Sequence, residues 1–310
     1  MQLTRIAIIG AGLMGHGIAQ AFATAGREVA IYEADAERRA GIRARVRANL
    51  RLVGQDEAAA DLISPCGDLS GAVAAADVVI EAVPEDLALK QQVFAQVEAA
   101  APANALLASN TSVIPITHIM AGLRHRHRAM GTHWWNPPYQ IPLVEVVQAR
   151  DTGAAEIAAM MGLLSAIGKM PVHVRKDVPG FIGNRLQHAL WREAIALVEN
   201  GVCDAATVDA VVKASFGRRL AVLGPLENAD LVGTDLALMV HRYILPDLDR
   251  TPGPQALLQE LVASGRLGMK SGAGFREWSP DEAQALRATL ARHLDTFSGA
   301  NGPGPAPESD

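Results

Sequence analysis

Short apolar runs alternate with helix-patterned stretches through the first half of the chain. Ile6–Ile9 reads as a strand, and a helix follows from about Met14 to a glycine stop at Gly26. Val29–Tyr32 reads as a second strand, and the Arg- and Ala-rich stretch 37–52 as helix. Residues 77–83 form a buried strand pattern ended by Pro84, with helix over 86–100 and strand over 106–109. Further strands are predicted at 129–132, 143–147 and near 172–174, with a helix around 154–167. This alternation predicts a doubly wound, mostly parallel α/β sheet. Beyond Val178-Pro179-Gly180 no strand pattern recurs. Helical patterns run over 181–200, 204–214, roughly 226–241, 255–263 and 280–293. The expected organisation is an α/β domain over 1–178 and an all-α domain over 179–297. The Gly/Pro/Ser/Ala-rich stretch 298–310 is expected to be a disordered tail.

Composition narrows the class. Of 310 residues, 49% are hydrophobic and 20% charged, as in a folded globular chain, while only 4% are aromatic, so the core is aliphatic. A formal net charge of −5 argues against a nucleic-acid or anionic-membrane binder. Cys66 and Cys203 lack metal-ligand spacing and read as free thiols of a cytoplasmic protein; no metal is expected. No apolar run reaches the ~18–20 residues of a membrane span. The run Ile6–Met14 is broken by glycines and has no cleavage signature, so no signal peptide is expected.

The first candidate chemistry lies at the end of the first strand. Gly10-Ala11-Gly12-Leu13-Met14-Gly15 follows a strand and opens a helix, the context that gives a GxGxxG its meaning. Gly10 permits the tight turn, Gly12 lets a pyrophosphate approach the backbone, and Gly15 lets helix and strand pack closely. The pyrophosphate would meet free N–H groups near Leu13 and Met14. Glu33, ending the second strand, suits both ribose hydroxyls of NAD and repels a 2′-phosphate. The expected fold is therefore a Rossmann-type domain that binds NAD.

Four other segments carry reactive groups: Ser109-Asn110-Thr111-Ser112, Thr132–Pro138, Leu143–Val147 and Pro179–Arg185. Glu145 stands in an apolar strand and calls for a partner, for which His133 is the candidate. Such a pair fixes the imidazole tautomer and leaves the other nitrogen to exchange a proton with a substrate hydroxyl. Spacing alone equally allows a satisfied core histidine and a glutamate on a water-facing edge strand. Asn184 and Ser112 can hold the substrate oxygen, or can be a helix-surface residue and a helix cap. Arg43, Arg47 and Arg51 share one helix face, which is either solvated or able to bind phosphates. Arg124–Arg128 reads as an exposed loop.

Taken together, these segments resemble the 3-hydroxyacyl-CoA dehydrogenase family over residues 4–278. The motifs are GAGLMGHGIAQ, DVVIEAVPEDLALK, SNTS, HxxNPP, LVEVV, PGFIGNR and LGMKSGAGF. The resemblance implies a Rossmann domain followed by a helical domain that commonly forms a homodimer. It implies His133 as catalytic acid/base with Glu145 as its partner, and Ser112 and Asn184 at the reacting oxygen. Glu85, Lys90, Asn110, Asn136 and Lys270 match family positions that line cofactor or substrate. The implied reaction is reversible oxidation of a 3-hydroxy group on an acyl-CoA or hydroxy acid. Two departures favour a branch without CoA, such as gulonate, carnitine or pyridine-alcohol dehydrogenases. Trp134 and Trp135 replace two phenylalanines, and the stretch between Leu52 and Asp77 is short where the CoA branch has a longer helical hairpin. A non-catalytic NAD(H)-binding or structural protein is the alternative of another class.

Overall fold

A computed structural model describes residues 3–296, which fall into two compact units, 3–185 with 294–296, and Leu186–His293. The expected tail at 298–310 lies outside the described residues.

The first unit is built on one eight-stranded sheet. In chain order the strands are β1 (Arg5–Ile9), β2 (Glu28–Tyr32), β3 (Ile63–Cys66), β4 (Val78–Glu81), β5 (Leu106–Ser109), β6 (Ala129–Trp134), β7 (Leu143–Val147) and β8 (Met170–Val174). Their spatial order is β3-β2-β1-β4-β5-β6-β7-β8. Every neighbouring pair is parallel except β6 and β7, which are antiparallel with His133 opposite Glu145. The helices are α1 (Leu13–Thr24), α2 (Ala36–Ala40), α3 (Ile42–Leu52), α4 (Leu69–Val73), α5 (Leu87–Ala100), α6 (Ile116–Ile119) and α7 (Ala154–Ala166).

Strand side chains alternate between two cores, as a sheet covered on both faces requires. Ile6, Ile8, Val78, Ile80 and Met130 pack with Ile18 and Phe22 of α1 and Met160 and Leu164 of α7. Ala7, Ile9, Val79 and Leu107 face the other way, against Phe94 and Val97 of α5 and Ile116 of α6. Each fully buried Ile or Phe contributes about 1.5–3 kcal/mol.

Three local expectations differ from the structure. The helix expected over 37–52 is two helices hinged at Gly41, the first capped by Asp35, whose side chain accepts from the Arg38 N–H. The stretch 52–77 holds a strand, β3, that its sequence conceals. Pro65 argues against a central strand, and β3 is the sheet's edge, where a missing N–H is tolerated. The helix expected over 226–241 breaks at Gly233, whose φ is +99°.

The remaining helices are α8 (Gly183–Glu199), α9 (Ala205–Ala214), α10 (Pro225–Val232), α11 (Thr234–Ile244), α12 (Ala256–Ala263) and α13 (Pro280–Asp295). No residue of α10 or α11 is buried, and their Leu226, Met239 and Tyr243 are exposed. Among the described residues no helix is long and apolar enough to cross a membrane. None of their His, Cys, Asp and Glu side chains group as a metal site.

Candidate active site

The turn from β1 into α1 is shaped by its glycines. Gly10 has φ +98°, and a Cβ there would stand 2.9 Å from the Ala82 carbonyl oxygen. A Cβ on Gly15 would collide with the Gly10 carbonyl, whereas at Gly12 it would meet nothing within 4 Å. Space is therefore open only at the middle glycine, above the N-terminus of α1. That terminus has no side-chain cap and no acidic residue in its first turn, so its N–H groups and positive dipole end suit an anion. Glu33 adjoins it: one carboxylate oxygen accepts from Ala11 N–H at 3.2 Å and the other from Asp35 N–H at 3.1 Å. These residues fit a dinucleotide.

A second set of groups lies at the carboxyl ends of β4 and β5. Glu81, paired in register with Ser109, is fully buried. It accepts from Lys90 Nζ (2.8 Å), Val83 N–H (2.7 Å) and Ser109 Oγ (2.6 Å). Lys90 is buried too and bridges to Glu85 at 3.2 Å. Glu85 in turn accepts from the Thr111 hydroxyl and from Ser112 N–H at 3.0 Å. Burial raises the Glu85 carboxyl, but the Thr111 hydrogen bond and the Lys90 charge outweigh it and hold the carboxyl below its ordinary value. Glu85 thus stays anionic and ties the loop after β4 to the loop after β5. Asn110 accepts from Trp134 N–H at 3.0 Å, linking that loop to β6.

The third set is the β6–β7 pair. His133 Nδ1 lies 2.7 Å from Glu145 Oε2, and both residues are buried. The other Glu145 oxygen accepts from Ile182 N–H at 2.9 Å and Gly183 N–H at 3.1 Å. Burial raises this carboxyl, yet the hydrogen bonds from His133, Gly183 and Ile182 bring it below its ordinary value. An anionic acceptor at Nδ1 requires the proton there, which leaves the Nε2 lone pair free. The Ile182 and Gly183 N–H groups are aimed by the turn at Phe181, whose φ of +51° is rare for a bulky residue and costs about 1–2 kcal/mol. Trp135 and Phe181 rings flank the imidazole at 5.2 and 5.6 Å. Asn184, at the start of α8, donates through Nδ2 to the Ser112 carbonyl at 2.9 Å, so its amide oxygen faces away from that bond.

Family models decide what this arrangement belongs to. The 3-hydroxyacyl-CoA dehydrogenase NAD binding domain matches residues 5–178, and the C-terminal domain of the same family matches residues 180–278. The chain belongs to the 3-hydroxyacyl-CoA dehydrogenase family. It is an NAD-dependent oxidoreductase acting on a hydroxyl group. It is 36% identical to 5-formyl-3-hydroxy-2-methylpyridine 4-carboxylate 5-dehydrogenase of Mesorhizobium japonicum, over 94% of this chain and 96% of that one. It is 35% identical to the probable 3-hydroxybutyryl-CoA dehydrogenase of Bacillus subtilis, over 90% and 98%. A solved structure of a 5-formyl-3-hydroxy-2-methylpyridine 4-carboxylic acid 5-dehydrogenase, an NAD+ dependent dismutase, superposes with a TM-score of 0.89. Its identity is 34%, covering 96% of this chain and 97% of that one.

Within this family member, the residues expected from sequence fall into distinct places. Gly10–Gly15 and Glu33 stand together; so do Glu85, Lys90, Asn110 and Ser112; so do His133 and Glu145. Lys90 is enclosed by Glu81, Glu85 and the Val83 carbonyl. Asn136 is exposed in the loop after β6, and Lys270 is exposed in a turn of the second unit. The arginine face of α3 is occupied: Arg43 donates to the Ile63 carbonyl at 2.7 Å, Arg47 pairs with Asp61 at 2.5 Å, and Arg51 with Glu57 at 3.6 Å. Arg128, expected in an exposed loop, is buried and donates to the Pro102 carbonyl at 2.6 Å.

Sequence reasoning passed over Glu81. The signal was available: a carboxylate ending the apolar run Val78-Val79-Ile80, the same rule that singled out Glu145.

Proposed function

We propose that His133 is the acid/base of a reversible hydroxyl oxidation and Glu145 its fixed partner. The observation that carries this reading is the buried 2.7 Å contact between His133 Nδ1 and Glu145 Oε2. With Nδ1–H donated to Glu145, Nε2 takes the hydroxyl proton during oxidation and returns it during reduction. Asn184 and Ser112 orient the reacting oxygen; the Asn184 amide, held on the Ser112 carbonyl, links the two. NAD, when bound, supplies the hydride acceptor. Gly10, Gly12, Leu13, Met14 and Gly15 hold its pyrophosphate, Glu33 its ribose, and Glu85, Asn110, Asn136 and Lys270 line the rest, with Lys90 acting from behind through Glu85.

The substrate is a free hydroxyl-bearing carboxylic acid or ring alcohol, without CoA. Support comes from the α3 arginines, each of which already has a partner within the protein, in Ile63, Asp61 and Glu57. A short 3-10 turn at Glu57–Leu62 stands where a longer helical hairpin would help hold CoA. The competing substrate is a 3-hydroxyacyl-CoA, favoured by the family model and by the Bacillus relative. Comparing acetoacetyl-CoA with a panel of free hydroxy acids and ring alcohols decides between them. The expected result is a kcat/KM at least about tenfold higher on a free acid or alcohol; the reverse order assigns the chain to the CoA branch.

A domain of residues 1–178 binds NAD, and residues 179–297 are a substrate and dimerisation domain of a cytoplasmic homodimer. The exposed apolar side chains of α10 and α11, with Tyr243 91% and Leu226 79% exposed, suit a second copy of the chain. Free Cys66 and Cys203 suit a reducing compartment.

Glu33→Ala tests the ribose contact. NAD affinity is expected to fall about tenfold, the equivalent of two lost hydrogen bonds, and NADP affinity to fall less. Titration by nicotinamide fluorescence measures both; equal losses would place the ribose elsewhere.

A further inference from the structure

Residues 135–142 join β6 to β7 and so connect the strand of His133 to the strand of Glu145. The loop contains Pro137, Pro138 and Pro142, so it has few N–H groups with which to fix itself. Gln140 and Ile141 N–H donate to the Pro137 carbonyl at 3.1 and 3.0 Å. The Pro138 and Ile141 carbonyls accept from outside the loop, from Lys169 Nζ at 2.6 and 2.9 Å. Lys169 stands between α7 and β8, next to Met170, whose N–H donates to the Pro142 carbonyl at 2.9 Å. Its ammonium also lies 5.6 Å from the centre of a Trp134 ring. Among the described residues Lys169 takes part in no ion pair. A half-buried ammonium held by carbonyls alone is a costly arrangement. The loop it binds lies against the dinucleotide helix: a Cβ on Gly17 of α1 would stand 2.9 Å from Pro138 Cδ.

We infer that Lys169 is a positioning residue for the dehydrogenase reaction, its ammonium clamping the 135–142 loop against α1 so that Asn136 and the ends of β6 and β7 that carry His133 and Glu145 keep their places. The inference rests on the His133–Glu145 reading for its catalytic consequence, though not for the clamp itself. The clamp is tuned to moderate pH, because burial pushes Lys169 down to about 8. The titratable groups on the surrounding elements do not drive that shift. They are Tyr139 on the loop, His133 and Glu145 on β6 and β7, His16 on α1, Glu156 on α7, His173 on β8, and Asp295 of α13, which accepts from Gln140 at 2.6 Å. Protonated, Lys169 makes two charge-assisted bonds; neutral, it keeps N–H donors but loses the charge that strengthens them. The clamp is therefore firm below about pH 8 and slackens above it.

Two readouts test this. Lys169→Met is one atom shorter and removes the charge and the N–H donors, and is expected to lower kcat/KM at least about tenfold near pH 7, chiefly through kcat. The wild-type-to-variant ratio is expected to shrink near pH 9.5, where the wild type has lost the charge and keeps only neutral N–H donors. Lys169→Arg, which stays charged, is expected to retain most activity at both values. Independently of turnover, Trp fluorescence of the wild-type protein is expected to change with a midpoint near 8, a transition absent in Lys169→Met and in Trp134→Phe. A ratio that does not vary with pH, or a wild-type fluorescence titration flat through that range, overturns the inference. Should His133→Ala remain active, the acid/base reading falls while the fluorescence titration still judges the clamp.

Discussion

His133→Ala is expected to lower kcat by about 10²–10⁴ while leaving NADH affinity within about twofold of the wild type. Nothing adjacent can take over the proton. The imidazole is flanked by Trp135 and Phe181 rings, and the nearest carboxylate, Glu145, is committed to His133 on one oxygen and to two backbone N–H groups on the other. What survives is orientation of the substrate, which gives residual turnover. NADH affinity is spared because the glycine turn and Glu33 belong to the β1 and β2 ends of the sheet, apart from the β6–β7 pair. Fluorescence titration beside steady-state kinetics separates the two effects. Loss of NADH binding, or retention of near-normal kcat, would each contradict the assigned role.

Glu145→Gln is expected to be nearly as damaging, by about 10²–10⁴ in kcat, through a different route. The glutamine amide would turn its carbonyl oxygen to the Ile182 and Gly183 N–H groups, where the carboxylate now accepts at 2.9 and 3.1 Å. Its NH₂ would then face Nδ1 and donate, which forces the histidine proton onto Nε2, the nitrogen that has to accept during oxidation. Reduction should suffer alike, because Nε2 can give up its proton only if Nδ1 keeps one, and kcat/KM measured in both directions is expected to fall together. The same change alters the acid limb of stability. Glu145 has a folded value below its unfolded one, so its contribution is full above the unfolded value of about 4.3 and is lost as pH falls through the lower folded value. The variant should therefore lose less stability than the wild type as pH falls below about 4.3. Chemical denaturation at several acidic pH values checks it; parallel curves for the two proteins would mean Glu145 is not held anionic.

The parts of this molecule legible in the sequence are those set by local periodicity and backbone conformation. The glycine turn could be read because Gly10 and Gly15 have no alternative: one has φ +98° and the other lies against the Gly10 carbonyl. The buried strands of the sheet could be read because both faces are covered, so their runs are almost wholly apolar. Glu145 was found because a lone carboxylate in such a run needs a partner. Other features depend on contacts between distant segments. The β6–β7 reversal left no trace in either strand's composition. The division of the 37–52 helix at Gly41 and the edge strand hidden by Pro65 were decided by packing and by position in the sheet. Lys169 contacts carbonyls of Pro138 and Ile141 that are 31 and 28 positions away, and a backbone acceptor has no residue type to recognise.

The antiparallel hairpin has a consequence for how this site tolerates insertion and deletion. His133 faces Glu145 only because one alignment of β6 and β7 is realised. A slip by one position would turn the carboxylate to the opposite face of the sheet, and a slip by two would bring Leu143 or Val147 across from the histidine. Length changes within the two strands are therefore forbidden to an active descendant of this sequence.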